Sequence, residues 1–255
     1  MNLAQARSCQ IAALDFITST VAEQMATILQ PHVGMFKVGA MLFTAVGPAV
    51  IEYLRDTVGL PVFLDLKYHD TPETVAGASC AAAGLGVEMF TIHCAGGMPM
   101  MTAARKAVDE AMELPAIRAN SRSRPKILGV TALTSQEALD LERESTIAVN
   151  EDASSRAIQE LFDEIVMRRA LLAEEAGLDG VVTSARYAAH VRKACRPSFL
   201  IVTPGIHRVE TAGEAIRGGA DYVVIGRLFR QTRDPIGIAG QLTWEIAAAA
   251  ERKEA

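Results

Sequence analysis

Cysteine is scarce in this chain, and the four present, Cys9, Cys80, Cys94 and Cys195, form no CxxC pair and no ligand-like spacing with histidine. That pattern argues against a disulfide framework or a structural metal site, and the expected state is the reduced thiol of a cytosolic protein. A cationic surplus is missing too: 25 Lys and Arg stand against 30 Asp and Glu, a net charge of −5. Binding to a nucleic-acid backbone needs a basic footprint, so nucleic acid is not an expected partner; a small anion needs only a local cluster of Lys and Arg. The start, MNLAQARSCQIAALDF, lacks the basic residues and long apolar run of a secretion signal. The apolar stretch 75–90 is broken by Gly77, Gly84, Gly86 and Glu88 and is too short to span a bilayer. No GxSxG elbow, P-loop or dinucleotide fingerprint occurs, which leaves triad hydrolysis, nucleoside triphosphates and NAD without support. These absences describe a soluble, cytoplasmic protein with no membrane partner.

What is present suits a large core. Half of the 255 residues are hydrophobic and 22% are charged, a balance that does not favour disorder. Short apolar, β-rich runs recur at 11–16, 35–39, 62–67, 89–94, 127–133, 180–184, 199–204 and 222–226. They are continuous rather than alternating, as parallel strands covered on both faces should be. Helical patterns lie between them. The clearest covers 154–176, where Ile158, Leu161, Ile165, Val166 and Leu172 share a face and Gly177 supplies a stop. Eight β–α units predict a single-domain α/β fold, a (β/α)8 TIM barrel over residues 1–255; an open doubly wound sheet is the alternative. The basic connector 118–126 is read as a solvated loop, and 134–153 as an elaborated loop with an extra helical turn.

Polar residues gather at the ends of these runs: Asp15, Lys37, Asp65, Lys67, His93, Thr131, Thr183, Thr203 and Arg227. In a barrel the C-terminal strand ends converge on one rim, where active sites are built. The densest segment is DLKYHDTPET, residues 65–74. Side chains alternate along a strand, so Asp65 and Lys67 point the same way. With Lys37 and Asp70 they place two carboxylates and two ammoniums at one strand mouth. A structural salt-bridge network is the bland alternative, but charges are costly to desolvate, and a crowded rim usually serves a substrate. A lysine between carboxylates is favoured as its ammonium, which suits proton donation to a carbanion better than Schiff-base chemistry. A carboxylate fixed against a substrate carboxylate also raises the energy of the bound ground state, a strain that loss of carbon dioxide relieves.

The last run ends VVIGR, where Gly226 lets the backbone approach a ligand and Arg227 can hold two phosphate oxygens. Phosphate commonly binds at this end of such barrels. His69 and His93 stand isolated in the sequence and are read as hydrogen-bonded structural residues.

Segments ALDF (13–16), FKVG (36–39), DLKYHDTPET (65–74), TIHCAGG (91–97), GVTALTS (129–135), GLDGVVTSA (177–185), TPGI (203–206) and ADYVVIGR (220–227) follow one another in an order that resembles bacterial orotidine 5'-phosphate decarboxylases. The resemblance runs from about residue 11 to residue 240. It implies a homodimeric enzyme of pyrimidine biosynthesis, free of metal and cofactor, that converts orotidine 5'-monophosphate to uridine 5'-monophosphate. By that likeness Lys67 protonates the C6 carbanion and Asp65 lies against the leaving carboxylate. Asp70, with Thr71 and Thr74 beside it, reaches the partner subunit's site. Asp15 and Lys37 match ribose contacts, Thr134 a pyrimidine contact, and Gly226 and Arg227 the phosphate end.

The chain also departs from that pattern. Where the family carries arginine after TPGI, this chain has His207, with Arg208 one place later as a candidate substitute. A glycine-rich segment with a phosphate-closing glutamine is reduced here to His207-Arg-Val-Glu-Thr-Ala212. Leu228 replaces a proline after IGR, and DTPET replaces DIPNT. These differences keep two alternatives open: a sibling barrel acting on another sugar or nucleotide phosphate, and a non-catalytic nucleotide-binding relative.

Overall fold

Eight parallel strands close on themselves in sequence order, β1 (Gln10–Ala13), β2 (Met35–Gly39), β3 (Val62–Tyr68), β4 (Met89–His93), β5 (Lys126–Val130), β6 (Gly180–Val182), β7 (Leu200–Ile206) and β8 (Tyr222–Ile225). The computed structural model describes residues 1–121, 123–132 and 155–254. β1 pairs with both β2 and β8, for example Ile11 with Met35 and with Val224, and so completes the ring. The open-sheet alternative is thereby excluded. Helices on the outside link consecutive strands, among them Pro72–Gly84, Gly97–Ala111, Ser155–Glu175 and Val209–Arg217, and a last helix, Pro235–Glu254, follows β8. Pro72 occupies the first turn of its helix, where a missing N–H is harmless, and Thr71 caps it by accepting from the Thr74 N–H.

The strands read as unbroken apolar runs because both faces are covered. Ala12, Phe36, Leu64, Phe90 and Ile201 face the helices. Ile11, Ala13, Met35, Phe63, Met89, Leu128, Val130, Val182, Val202 and Val224 fill the barrel interior. Alternation then dictates what lies above this inner layer. Lys37, Asp65 and Thr91 each follow an inner residue (Met35, Phe63, Met89) by two positions, so they form the next layer toward the C-terminal rim. The inner apolar layer is the floor of the site.

The expected runs match the strands closely, with informative differences at the ends. The run 11–16 stops being a strand at Ala13, because the Phe16 N–H turns back to the Leu14 carbonyl at 3.0 Å. Asp15 is therefore aimed by a tight turn. The helix expected at 154–176 is Ser155–Glu175, and the basic connector 118–126, expected as a loop, begins inside a short helix, Pro115–Asn120. The extra turn expected within 134–153 lies outside the described residues. All four cysteines are free thiols. No helix among the described residues is long and apolar enough to cross a membrane.

Candidate active site

Alternating charges run across the barrel mouth. Asp15 Oδ1 accepts from Lys37 Nζ at 3.0 Å, Lys37 Nζ lies 3.5 Å from Asp65 Oδ2, and Asp65 Oδ1 accepts from Lys67 Nζ at 2.8 Å. The two inner members, Lys37 and Asp65, are buried, whereas the side chains of Asp15 and Lys67 remain 31% and 34% exposed. Burial alone would raise the Asp65 carboxyl. The Lys37 and Lys67 ammoniums, with hydrogen bonds from Lys67 and Thr91, outweigh it and hold the group below the usual carboxylate range. Asp65 is thus a fixed negative charge beside a partly open ammonium, which is the electrostatic setting for proton delivery to an anion.

Thr91, on β4, is the residue that sequence reasoning missed. Its fully buried hydroxyl donates to Asp65 Oδ1 at 3.0 Å and accepts the Lys67 backbone N–H at 2.9 Å. That second bond matters because Lys67 has φ 53°, in the left-handed region, and β3 slips register against β4 between Leu64 and Tyr68. A lysine there is strained, on the order of 1–3 kcal/mol. The slipped backbone loses its ladder partner, and the threonine hydroxyl replaces it. A threonine inside a strand looks like an ordinary β-former, so the sequence carried little sign of this role.

His69 and His93, isolated in the chain, stack on each other with ring centroids 5.2 Å apart. Burial, followed by the charges of Arg169, His69 and Lys67, lowers the His93 pKa to about 4. His93 Nδ1 accepts from the Ala95 N–H at 3.2 Å. The folded state therefore binds no proton here until about pH 4, while an unfolded imidazole does so from about pH 6.5. Stability due to this group is complete above the higher value and is lost as pH falls toward the lower. In His93→Asn, whose amide oxygen can still accept from Ala95, melting temperature is expected to fall less steeply across that window than in the parent. Parallel melting curves against pH would count against this account.

Asp70 stands apart from the charge chain. It is exposed, accepts the Thr71 N–H at 2.6 Å, and lines a cavity of about 340 Å³ with Lys67, His69 and Thr74. Thr71 Oγ1 and Thr74 Oγ1 lie 2.9 Å apart at the helix cap. On the other side, a cleft of about 210 Å³ is lined by Asp15, Lys37, His207, Gly226, Arg227 and Arg230, with Pro204 and Gly205 beside them. Gly205, at φ 82°, adopts a backbone turn that side chains rarely allow. A Cβ at Gly226 would meet Asp15 Oδ2 at 3.5 Å.

Not every rim residue joins these cavities. Thr131 and Thr183 are buried and bond each other at 3.2 Å, and Thr203 is buried with no partner for its hydroxyl among the described residues. None of the three lines either cavity. Arg208 is exposed at the N-cap of Val209–Arg217 and is not among the cleft's lining residues. Thr134 lies outside the described residues. No cluster of three or more potential metal ligands occurs among the described residues.

Comparison with known proteins gives a consistent result. A family model described as Orotidine 5'-phosphate decarboxylase / HUMPS family matches residues 10–242. The orotidine 5'-phosphate decarboxylase of Syntrophotalea carbinolica is 42% identical, with 98% of this chain and 99% of that protein covered. That of Moorella thermoacetica is 44% identical, with 92% and 91% covered. The crystal structure of orotidine 5'-phosphate decarboxylase from Lactobacillus acidophilus is similar at a TM-score of 0.76 and 33% identity, over 92% of this chain and 97% of that chain.

Proposed function

The chain belongs to the orotidine 5'-phosphate decarboxylase / HUMPS family, and we propose that it decarboxylates orotidine 5'-monophosphate to uridine 5'-monophosphate with Lys67 as the proton donor. The observation that carries the chemistry is the 2.8 Å contact between Lys67 Nζ and the buried Asp65 carboxylate.

Asp65 lies against the substrate carboxylate in this reading, so two negative charges meet in the bound state. Breaking the bond from C6 to the carboxyl carbon releases carbon dioxide and leaves the electron pair on C6. The Lys67 ammonium stabilises that pair and then transfers a proton to it, forming the new C6–H bond. The partly exposed amine is recharged from solvent. No metal or cofactor enters these steps. Asp15 and Lys37 bind the ribose hydroxyls, Thr134 the pyrimidine, and Gly226 and Arg227 the phosphate. Asp70, with Thr71 and Thr74, completes the site of a partner subunit in a cytoplasmic homodimer, each subunit one barrel domain.

The test is an ultraviolet assay of purified, folded protein with orotidine 5'-monophosphate and excess chelator. Turnover is expected to persist at the same rate with and without chelator. Absence of turnover above the uncatalysed background would overturn the assignment.

A further inference from the structure

The cleft beside Lys37 holds more positive charge than the substrate contacts above use. Lys37 is neutralised between Asp15 and Asp65. Arg227 and Arg230 have no carboxylate within salt-bridge distance among the described residues, yet both line the same cleft. They sit three positions apart on the helix Arg227–Gln231, a spacing that puts two side chains on one face. Arg230 Nη1 donates to the Asp15 carbonyl at 3.3 Å, which leaves most of its five N–H groups for a ligand.

Arg227 is held from the other side. Its Nη2 lies 2.8 Å from His207 Nε2. A guanidinium can only donate, so His207 Nε2 is the acceptor and the ring proton sits on Nδ1. Only His207 and Arg208 separate the end of β7 from the next helix, so no further chain from this connector reaches over the cleft.

We propose that Arg230 is a second phosphate-binding residue, forming with Arg227 a two-arginine grip on the substrate's phosphate monoester, and that His207 positions Arg227 for it. This rests on the reading of the cleft as the phosphate end of the site. Two forked guanidiniums supply the charge and the paired donors that a phosphate dianion requires.

The experiment measures binding of uridine 5'-monophosphate and of uridine to the intact protein by calorimetry, so it does not depend on turnover. Arg230→Gln is expected to weaken the nucleotide by about tenfold to hundredfold, the usual value of a charge-assisted contact. Uridine affinity and the melting temperature should be unchanged. Arg230→Lys should recover part of the loss, and Arg233→Gln, outside the cleft, should change nothing. His207→Ala should weaken the nucleotide alone, and His207→Gln, which keeps an acceptor, should restore it. Unchanged nucleotide affinity in Arg230→Gln overturns the proposal. So does an equal loss from Arg233→Gln, or an equal loss on uridine. Wild-type protein that prefers the nucleotide but does not decarboxylate would sink the assigned reaction and leave the grip standing.

Discussion

Lys67→Ala is expected to reduce turnover of orotidine 5'-monophosphate by roughly 10⁴-fold or more, with the barrel still folded. Removing a positioned proton donor typically costs about 10²–10⁴ in rate. Removing a fixed charge from a forming anion costs about 10²–10³ more. The two roles belong to one ammonium, so they do not add in full, but either alone is large. The fold should survive because Lys67 is a third exposed and contributes nothing to the apolar layers. Its backbone gives a second, independent readout. At φ 53° alanine keeps the left-handed strain, about 1–2 kcal/mol, whereas glycine does not. Glycine adds freedom to the unfolded chain worth about 0.4–1 kcal/mol, which is smaller. Lys67→Gly should therefore melt no lower than Lys67→Ala while being equally inactive. Near-normal turnover in either variant would remove Lys67 from the chemistry.

The contrast between Lys67 and Thr91 shows where the sequence was readable. Period-two alternation is a property of the chain itself, so Asp65 and Lys67 could be placed on one side, and Lys37 joined them once eight strands were counted. The inner layer beneath them follows the same rule. Departures from regular strand geometry were not readable. The register slip at Lys67 gives Thr91 its role, and nothing in TIHC marks a threonine that bonds both a carboxylate and a slipped backbone. His69 and His93 looked isolated because their stacking depends on how β4 lies beside the chain leaving β3. Arg230 was legible in principle: IGRLFR places it three residues after Arg227, but only a short helix makes that spacing a shared face. The polar ends of β5 to β7 misled for a related reason. Thr131, Thr183 and Thr203 follow the inner residues Val130, Val182 and Val202 by one position rather than two, so alternation turns them away from the cavity.

Asp70→Ala and Lys67→Ala, each nearly inactive alone, are expected to recover activity when their subunits are mixed. Asp70 is exposed, and no cationic side chain among the described residues is within salt-bridge range of it. A carboxylate so placed, three residues after Lys67, makes no ion pair inside its own subunit among the described residues. In a symmetric dimer that lends it across the interface, each site combines one subunit's Lys67 with the other's Asp70. A hybrid then has one site with both residues missing and one site intact. Random exchange of equal amounts makes about half the dimers hybrid, so about a quarter of all sites should be restored. Activity should rise toward a quarter of the parent value with the time course of subunit exchange, which a labelled subunit reports separately. Full exchange with no recovery would place Asp70 in its own subunit's site, and an Asp70→Ala protein active on its own would place it outside catalysis. Recovery needs both a dimer and a shared site, because two independent sites cannot repair each other by mixing.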